Sequence, residues 1–221
     1  MTAKMQGIAG AIIAGGQSSR MQAGGISGDK FLQKLGDKTI IEHVAKRFAP
    51  QVNQLFLNAN GDHNRLPKLD IETIEDSVSS HGGPLVGLVT ALEYAAAFPL
   101  LSSVAADSPF LPLDLVSRLH EQQEKTNASI VLASSNGRVH PIFGLWKTEL
   151  LQPLAEWLAQ SEKASVFAFA RHIGFEQVEF ALVELSANDE TYDPFFNINR
   201  PDDLIEAVKA YRVLSYPSDT L

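Results

Sequence analysis

A glycine-rich turn with two nearby basic residues is the first feature that could do chemistry. Residues 14–21 read Ala-Gly-Gly-Gln-Ser-Ser-Arg-Met and directly follow an apolar run, residues 8–14. Glycines let a backbone turn and approach a phosphate, so that free N–H groups donate to its oxygens. Arg20 and Lys30 supply positive charge against such a ligand. The alternative is a solvated connecting loop with incidental glycines, but the position after a buried strand and the paired cations favour phosphate binding.

The better-known phosphate and hydrolase motifs are absent. No G-x-x-x-x-G-K-[ST], G-x-G-x-x-G or G-x-S-x-G occurs, which disfavours a P-loop NTPase, a dinucleotide-binding dehydrogenase and a serine hydrolase. The six histidines lack H-x-x-x-H spacing, and there are no cysteines for thiolate metal sites or a Cys nucleophile.

Polar residues follow three further apolar runs. Asn58, Asp76 and Asp107 each stand where a predicted strand ends. If these strands are parallel to the first, their carboxyl ends bring the three residues to one edge of the sheet with Gly15, where ligands of open α/β sheets bind. A carboxylate such as Asp107 suits a hard cation such as Mg²⁺. Asp107 could instead cap the following turn, and Asp76 could be a turn residue.

Short β-like runs alternate with helical stretches, which is typical of an α/β fold. Strands are predicted at residues 8–14, 54–58, 71–75, 101–106, 128–133, 141–146 and 175–185. Helices are predicted from the Thr39–Glu42 capping box to about residue 48, at 84–99, at 112–125, over most of 147–171 and from Pro201 onward. No linker is evident, so one domain over residues 1–221 is predicted, with a flexible tail at 214–221.

Composition limits the partners. The 221 residues carry a formal net charge of −8, which argues against binding to the phosphate backbone of DNA or RNA. The apolar runs are too short to span a membrane, and the N-terminal segment lacks the layout of a signal peptide. A cytoplasmic location with no membrane association is predicted.

The order of the motifs resembles that of a known family, the MobA-type nucleotidyltransferases, which are molybdenum cofactor guanylyltransferases. The matching segments are the turn at 14–21 with Asp29-Lys30, Asn58-Ala-Asn60, Glu75-Asp-Ser77, Gly83-Pro-Leu-x-Gly87, Asp107-x-Pro-Phe-Leu-Pro112, His140-Pro141 and Phe196-Asn-Ile-Asn-x-Pro-x-Asp-Leu204. They cover about residues 7–211. One departure is the longer spacer, residues 22–28, between Met21 and Asp29.

The resemblance implies a single-domain, Rossmann-like nucleotidyltransferase fold, with a mostly parallel central sheet and helices on both faces. Residues 7–110 would be the nucleotide-binding half and 111–213 the acceptor-substrate half. The implied reaction joins GMP from GTP to molybdopterin and releases pyrophosphate, with Mg²⁺ as cofactor. Transient cofactor-handling proteins are expected as further partners.

The resemblance also assigns roles to individual residues. The implied catalytic residues are Arg20, Lys30 and Asp107, with Asp107 as the metal ligand. The implied GTP contacts are Ile13, Ala14, Gly15, Gly16, Lys30, Asn58, Asp76 and Asp107. A second group, toward the acceptor, comprises Gly83, His140, Asn197 and Asn199; the two asparagines could instead cap the last helix.

Other substrates and roles stay open at this point. Relatives that use CTP tend to have Ala-Ala-Gly where this chain has Ala14-Gly15-Gly16, which favours GTP. The alternatives are a molybdopterin cytidylyltransferase, a sugar-phosphate nucleotidyltransferase of the same fold, and a nucleotide-binding partner protein without catalysis.

Overall fold

A computed structural model describes residues 7–14, 29–77, 83–160, 165–185 and 190–215. Its strands are β1 Ile8–Ile13, β2 Lys34–Leu35, β3 Lys38–Thr39, β4 Gln54–Asn58, β5 Glu72–Ile74, β6 Leu100–Ala105, β7 Ile130–Ser135, β8 Arg138–Lys147, β9 Glu176–Glu179, β10 Val183–Glu184 and β11 Thr191–Tyr192. Its α-helices are α1 Ile40–Phe48, α2 Pro84–Tyr94, α3 Leu115–Thr126, α4 Leu151–Gln160, α5 Val166–Ile173 and α6 Pro201–Ser215.

Seven strands form one central sheet in the order β5-β4-β1-β6-β8-β7-β9. β1 pairs in parallel with β4 and β6, β4 with β5, and β7 with β9, whereas β8 is antiparallel to both of its neighbours. The prediction of an α/β fold with a mostly parallel sheet is therefore confirmed.

The sheet is covered on both faces because its buried strands alternate their side chains. In β1, Ile8 and Ile12 pack with α1 and α3, while Ala9, Ala11 and Ile13 pack with α2, α4 and α5. The helices on both faces were predicted, and this too is confirmed. The Thr39–Glu42 capping box that begins α1 is present.

The antiparallel strand β8 arises from a tight hairpin. Asn136 and Gly137 join β7 to β8 with φ angles of 48° and 72°, the left-handed conformation that two-residue hairpin turns require. The pairing then shifts register, from Ala133 opposite His140 to Leu132 opposite Gly144. The irregularity leaves residues 141–143 outside the regular ladder, beside the cleft described below.

Three predicted elements differ from the structure. Helix α2 ends at Tyr94, before the predicted end at residue 99. The strand predicted at residues 175–185 is wrong as a single element: β9 ends at Glu179, and β10 pairs with β11 instead. The pairing partner of β9 is β7, which ends at Ser135, and Phe180 turns into the core, where its ring packs against Phe195. Helix α3 begins at Leu115 rather than Pro112, after a turn.

Within the described part of the chain, no helix is both long and apolar enough to cross a membrane.

Candidate active site

The carboxyl ends of β1, β4, β5 and β6 meet at one rim of the sheet. The N–H of Ala14 donates to the carbonyl of Asn58 at 2.9 Å, and the N–H of Ala106 donates to that of Ile13 at 3.2 Å. Asn58, Asp76 and Asp107, which were predicted to converge with Gly15, therefore follow the ends of parallel strands at this rim, and Ala14 lies at the end of β1. Gly15, Gly16 and Arg20, predicted to bind the phosphates, lie outside the described residues.

A cation, a carboxylate and an amide form a compact cluster at the end of β6. The Lys30 Nζ lies 2.6 Å from Asp107 Oδ2 and donates to Asn199 Oδ1 at 2.8 Å. The Asp107 side chain is only 8% exposed, so its charge is little screened by solvent. The three residues come from distant parts of the sequence, and the fold brings them together in one place.

Local packing positions each member of this cluster. Lys30 opens a 3₁₀ helix, Lys30–Leu32, whose buried Phe31 anchors the segment to the core. The carbonyl of Asp107 accepts the N–H of Ile198 at 3.0 Å, which fixes the 195–199 segment beside β6. Ser108 Oγ donates to Asn197 Oδ1 at 2.7 Å and strengthens the same connection.

The two asparagines do not cap α6 with their side chains. Asp203 does so, because its Oδ2 accepts the backbone N–H groups of Asn199 and Arg200, each at 2.8 Å. The side chain of Asn199 is thereby available to Lys30, and that of Asn197 to Ser108. This geometry favours the site interpretation of Asn197 and Asn199 over the capping alternative.

A second polar group lies at the ends of β4 and β5. Asn58 and Asn60 donate their side-chain amides to the two oxygens of Asp76, at 2.9 and 2.6 Å. Asn60 in turn accepts the N–H of Asp76 at 2.8 Å. Asn58 is 1% exposed, so its orientation is fixed by packing as well as by hydrogen bonding. The carboxylate of Asp76 is therefore held in one orientation at the rim.

Arg65 was not identified from the sequence. Its guanidinium pairs with Asp29 at 2.7 Å and donates to the carbonyl of Asn60. It thus ties the residue before Lys30 to the Asn60–Asp76 group. No local sequence motif marks an arginine that acts across such a distance along the chain.

The absence of a side chain at Gly87 lets helix α2 pack closely against Asn58. A Cβ at this position would lie 2.5 Å from Asn58 Oδ1 and 2.8 Å from Ile13 Cγ2. We expect Gly87→Ala to lower the free energy of unfolding by about 1–3 kcal/mol, because both buried neighbours must move. Urea unfolding measures the effect, and Glu93→Ala at an exposed site of the same helix is the control. A wild-type free energy of unfolding in Gly87→Ala would show that the contact is unimportant.

Two adjoining clefts open at this rim. The first is lined by Ile13, Ala14, Lys30, Phe31, Pro84, Ala105, Ala106, Asp107, Ile142 and Asn197. The second shares Ile142 and Asn197 with the first and continues along His140, Asp193, Asn199 and Arg200. Gly83, with a φ of 103°, precedes Pro84 at the start of α2. Two ligands in these clefts would meet near Lys30 and Asp107.

The donor set of the first cleft suits one mode of metal binding. Within the described ranges, no three His, Asp or Glu side chains gather into a metal site. Mg²⁺ is commonly held by one or two carboxylates together with oxygens of substrate phosphates. Asp107, a carboxylate on the wall of a cleft that also carries Lys30, fits that mode.

Comparison with known proteins identifies the family. Residues 10–176 match the model of the MobA-like NTP transferase domain. The molybdenum cofactor guanylyltransferase of Brucella ovis is 56% identical over 200 residues, which cover 90% of each protein.

Solved structures share the fold. Molybdopterin-guanine dinucleotide biosynthesis protein A from Archaeoglobus fulgidus superposes with a TM-score of 0.68 at 22% identity, over 91% of this chain and 97% of that one. The 4-diphosphocytidyl-2C-methyl-D-erythritol synthase of Anaerococcus prevotii gives 0.66 at 12% identity, over 91% and 94%. The chain is therefore a nucleotidyltransferase that belongs to the MobA-like NTP transferase family.

Proposed function

We propose that the chain transfers GMP from GTP to molybdopterin, releases pyrophosphate and forms the guanine dinucleotide. The observation that carries this proposal is the Lys30–Asp107–Asn199 cluster between two clefts, in a chain 56% identical to a molybdenum cofactor guanylyltransferase. Residues 7–110 would hold the nucleotide and 111–213 the acceptor. The cytoplasm is the proposed location, and transient cofactor-handling proteins are proposed partners.

The strand order gives GTP a direction along the rim. Asp76 follows β5 and Asp107 follows β6, three strand spacings apart, or about 14 Å. This separation suits a nucleotide with its base near Asn58 and Asp76 and its phosphates near Ala14, Lys30 and Asp107. Gly15, Gly16 and Arg20 are proposed to complete the phosphate site.

The chemistry requires charge compensation rather than a protein base. A terminal phosphate of molybdopterin has a second pKa of about 6 and is largely dianionic at neutral pH. Its oxygen attacks the α-phosphorus of GTP, the bond from that phosphorus to the bridging oxygen breaks, and pyrophosphate leaves with the electron pair. Lys30 would offset the charge that develops and help align the two phosphates. Asp107 would hold Mg²⁺, which supplies further positive charge.

Asp76 is proposed to select guanine. Guanine presents N1–H and N2–H donors, and a carboxylate held in place by Asn58 and Asn60 is a matching acceptor. We expect Asp76→Asn to lower the preference for GTP over ATP by about tenfold or more, because an amide replaces one acceptor oxygen with a donor. The measurement is kcat/KM for each nucleotide, with Asp70→Asn at an exposed site outside both clefts as the control. An unchanged preference would remove Asp76 from base recognition.

The function is tested by supplying molybdopterin and Mg²⁺ with GTP, CTP or ATP in turn. Among the three nucleotides, we expect only GTP to give pyrophosphate release and a product with the mass of the guanine dinucleotide. Turnover with CTP alone would instead identify a cytidylyltransferase. Turnover only when a sugar phosphate replaces molybdopterin as acceptor would identify a sugar-phosphate nucleotidyltransferase. GTP binding without pyrophosphate release would support a non-catalytic, nucleotide-binding role.

A further inference from the structure

Three polar side chains form a hydrogen-bonded relay on the wall of the second cleft. Ser135 ends β7, His140 lies in β8, and Asp193 follows β11. Ser135 Oγ lies 2.7 Å from His140 Nε2 and donates to Asp193 Oδ1 at 2.8 Å. Asp193 Oδ1 also accepts the N–H of Phe195 at 2.9 Å, which fixes the carboxylate. The chemical step proposed above uses none of these three side chains, although the resemblance assigns His140 to the acceptor group.

The order of donors in this relay sets the tautomer of His140. A serine hydroxyl has one proton, and Ser135 gives it to Asp193, which as a carboxylate can only accept. The Ser135 oxygen must therefore accept from His140, so Nε2 carries the imidazole proton. In a neutral ring, Nδ1 is then an unprotonated acceptor. Among the described residues Nδ1 has no hydrogen-bond partner, and His140 lines the cleft.

The surroundings of His140 favour the neutral ring. The residue is 9% exposed, and its burial lowers the pKa below the usual value, an effect that Arg138 adds to and that Asp193 and Glu179 oppose. Phe195 lies against the imidazole with ring centroids 4.8 Å apart, which restrains the ring plane. The ring is thus held in position, in orientation and in protonation state.

We propose that Ser135 and Asp193 hold His140 in the Nε2–H tautomer so that Nδ1 accepts a hydrogen bond from an N–H group of the pterin ring. This assignment rests on the proposed function. A pterin carries N–H donors on the edge of its pyrimidine ring and has flat apolar faces, and the cleft offers the half-buried side chains of Ile142 and Phe196 to those faces. Asn199 lines the same cleft and contacts Lys30, so an acceptor bound here would direct its phosphate toward the cluster.

Two amide substitutions separate the two ring nitrogens. In His140→Gln the amide reaches the position of Nε2 and keeps the contact with Ser135, but nothing replaces the acceptor at Nδ1. In His140→Asn the amide oxygen takes the place of Nδ1, and the contact with Ser135 is lost. We expect His140→Gln to raise the KM for molybdopterin by about tenfold or more and His140→Asn by about threefold or less, with the KM for GTP unchanged in both.

The pH dependence of the KM for molybdopterin distinguishes a ligand-binding role of His140 from a purely structural one. Protonation converts Nδ1 into a donor, so in the wild type we expect the KM for molybdopterin to rise as the pH falls through the pKa of His140, which burial lowers below its usual value. Asp193, Glu179 and Arg138 are the charged groups that set this titration. In His140→Asn the rise attributable to position 140 should disappear. A wild-type profile that His140→Asn leaves unchanged would contradict the proposal.

The tautomer can be read without any substrate. Long-range ¹H–¹⁵N NMR of the ¹⁵N-histidine protein should show His140 as the Nε2–H form, and Ser135→Ala should shift it toward a mixture. An Nδ1–H form in the wild type, or an unchanged KM for molybdopterin in His140→Gln, would overturn the inference. If the wild type transfers no GMP to molybdopterin, the proposed function and the pterin assignment both fail, whereas the NMR result still decides whether the relay sets the tautomer.

Discussion

Asp107→Asn is expected to lower kcat for GMP transfer by about a hundredfold or more while the protein stays folded. The substitution keeps the shape of the side chain and removes its negative charge. The carboxylate is the proposed metal ligand, and it also pairs with Lys30 at 2.6 Å. Both interactions weaken together, so the loss should exceed that at any other single residue of the described site. Steady-state pyrophosphate release at saturating GTP, Mg²⁺ and molybdopterin measures it.

The matched control for this substitution is Asp114→Asn. Asp114 lies on the same connection after β6 but is exposed and precedes α3. It should retain wild-type turnover and a similar free energy of unfolding. Full activity in Asp107→Asn would remove this carboxylate from the mechanism, and equal losses in both variants would point to general damage to the connection.

Lys30→Ala is expected to lower kcat by at least about tenfold, with a smaller effect on the KM for GTP. The ammonium group would act where charge develops on the phosphates as pyrophosphate leaves, so its contribution is larger in the transition state than in the bound ground state. Its position is fixed by Asp107 and by Asn199. Measuring kcat and KM separately shows whether Lys30 acts mainly in the transition state or in the bound ground state.

Lys34→Ala serves as the comparison, because Lys34 is an exposed lysine only four positions along the chain. It should behave as the wild type. An increase in the KM for GTP with kcat unchanged in Lys30→Ala would show that Lys30 binds the nucleotide without aiding the reaction. Unchanged kinetics would exclude Lys30 from the site.

The sheet rim could be predicted from the sequence because its signals are local. Asn58, Asp76 and Asp107 each follow an apolar run, and parallel strands bring such positions to one edge. The order of the motifs supplied the family, which the comparison with relatives confirms. The roles of the individual residues remain predictions, and those for Gly15, Gly16 and Arg20 concern residues that the structure does not describe.

The contacts missed by the sequence analysis join residues far apart in the chain. Arg65 reaches Asp29, and Ser135 reaches Asp193, through pairings that no local pattern encodes. The antiparallel β8 is a different case, because Asn136-Gly137 between two apolar runs is a strong local hairpin signal that our sequence-based predictions did not use. The alternation at residues 175–185 continues past the end of its partner strand, so periodicity alone could not place the end of β9.

We propose that the triphosphate of GTP is held at the Lys30–Asp107 end of the rim together with a divalent ion. The most direct measurement is a crystal structure of the GTP complex with Mn²⁺ in place of Mg²⁺, using anomalous scattering to locate the ion. We expect an anomalous peak in contact with the Asp107 carboxylate and the phosphates beside Lys30. An ordered GTP whose phosphates and Mn²⁺ lie away from both residues would contradict the account.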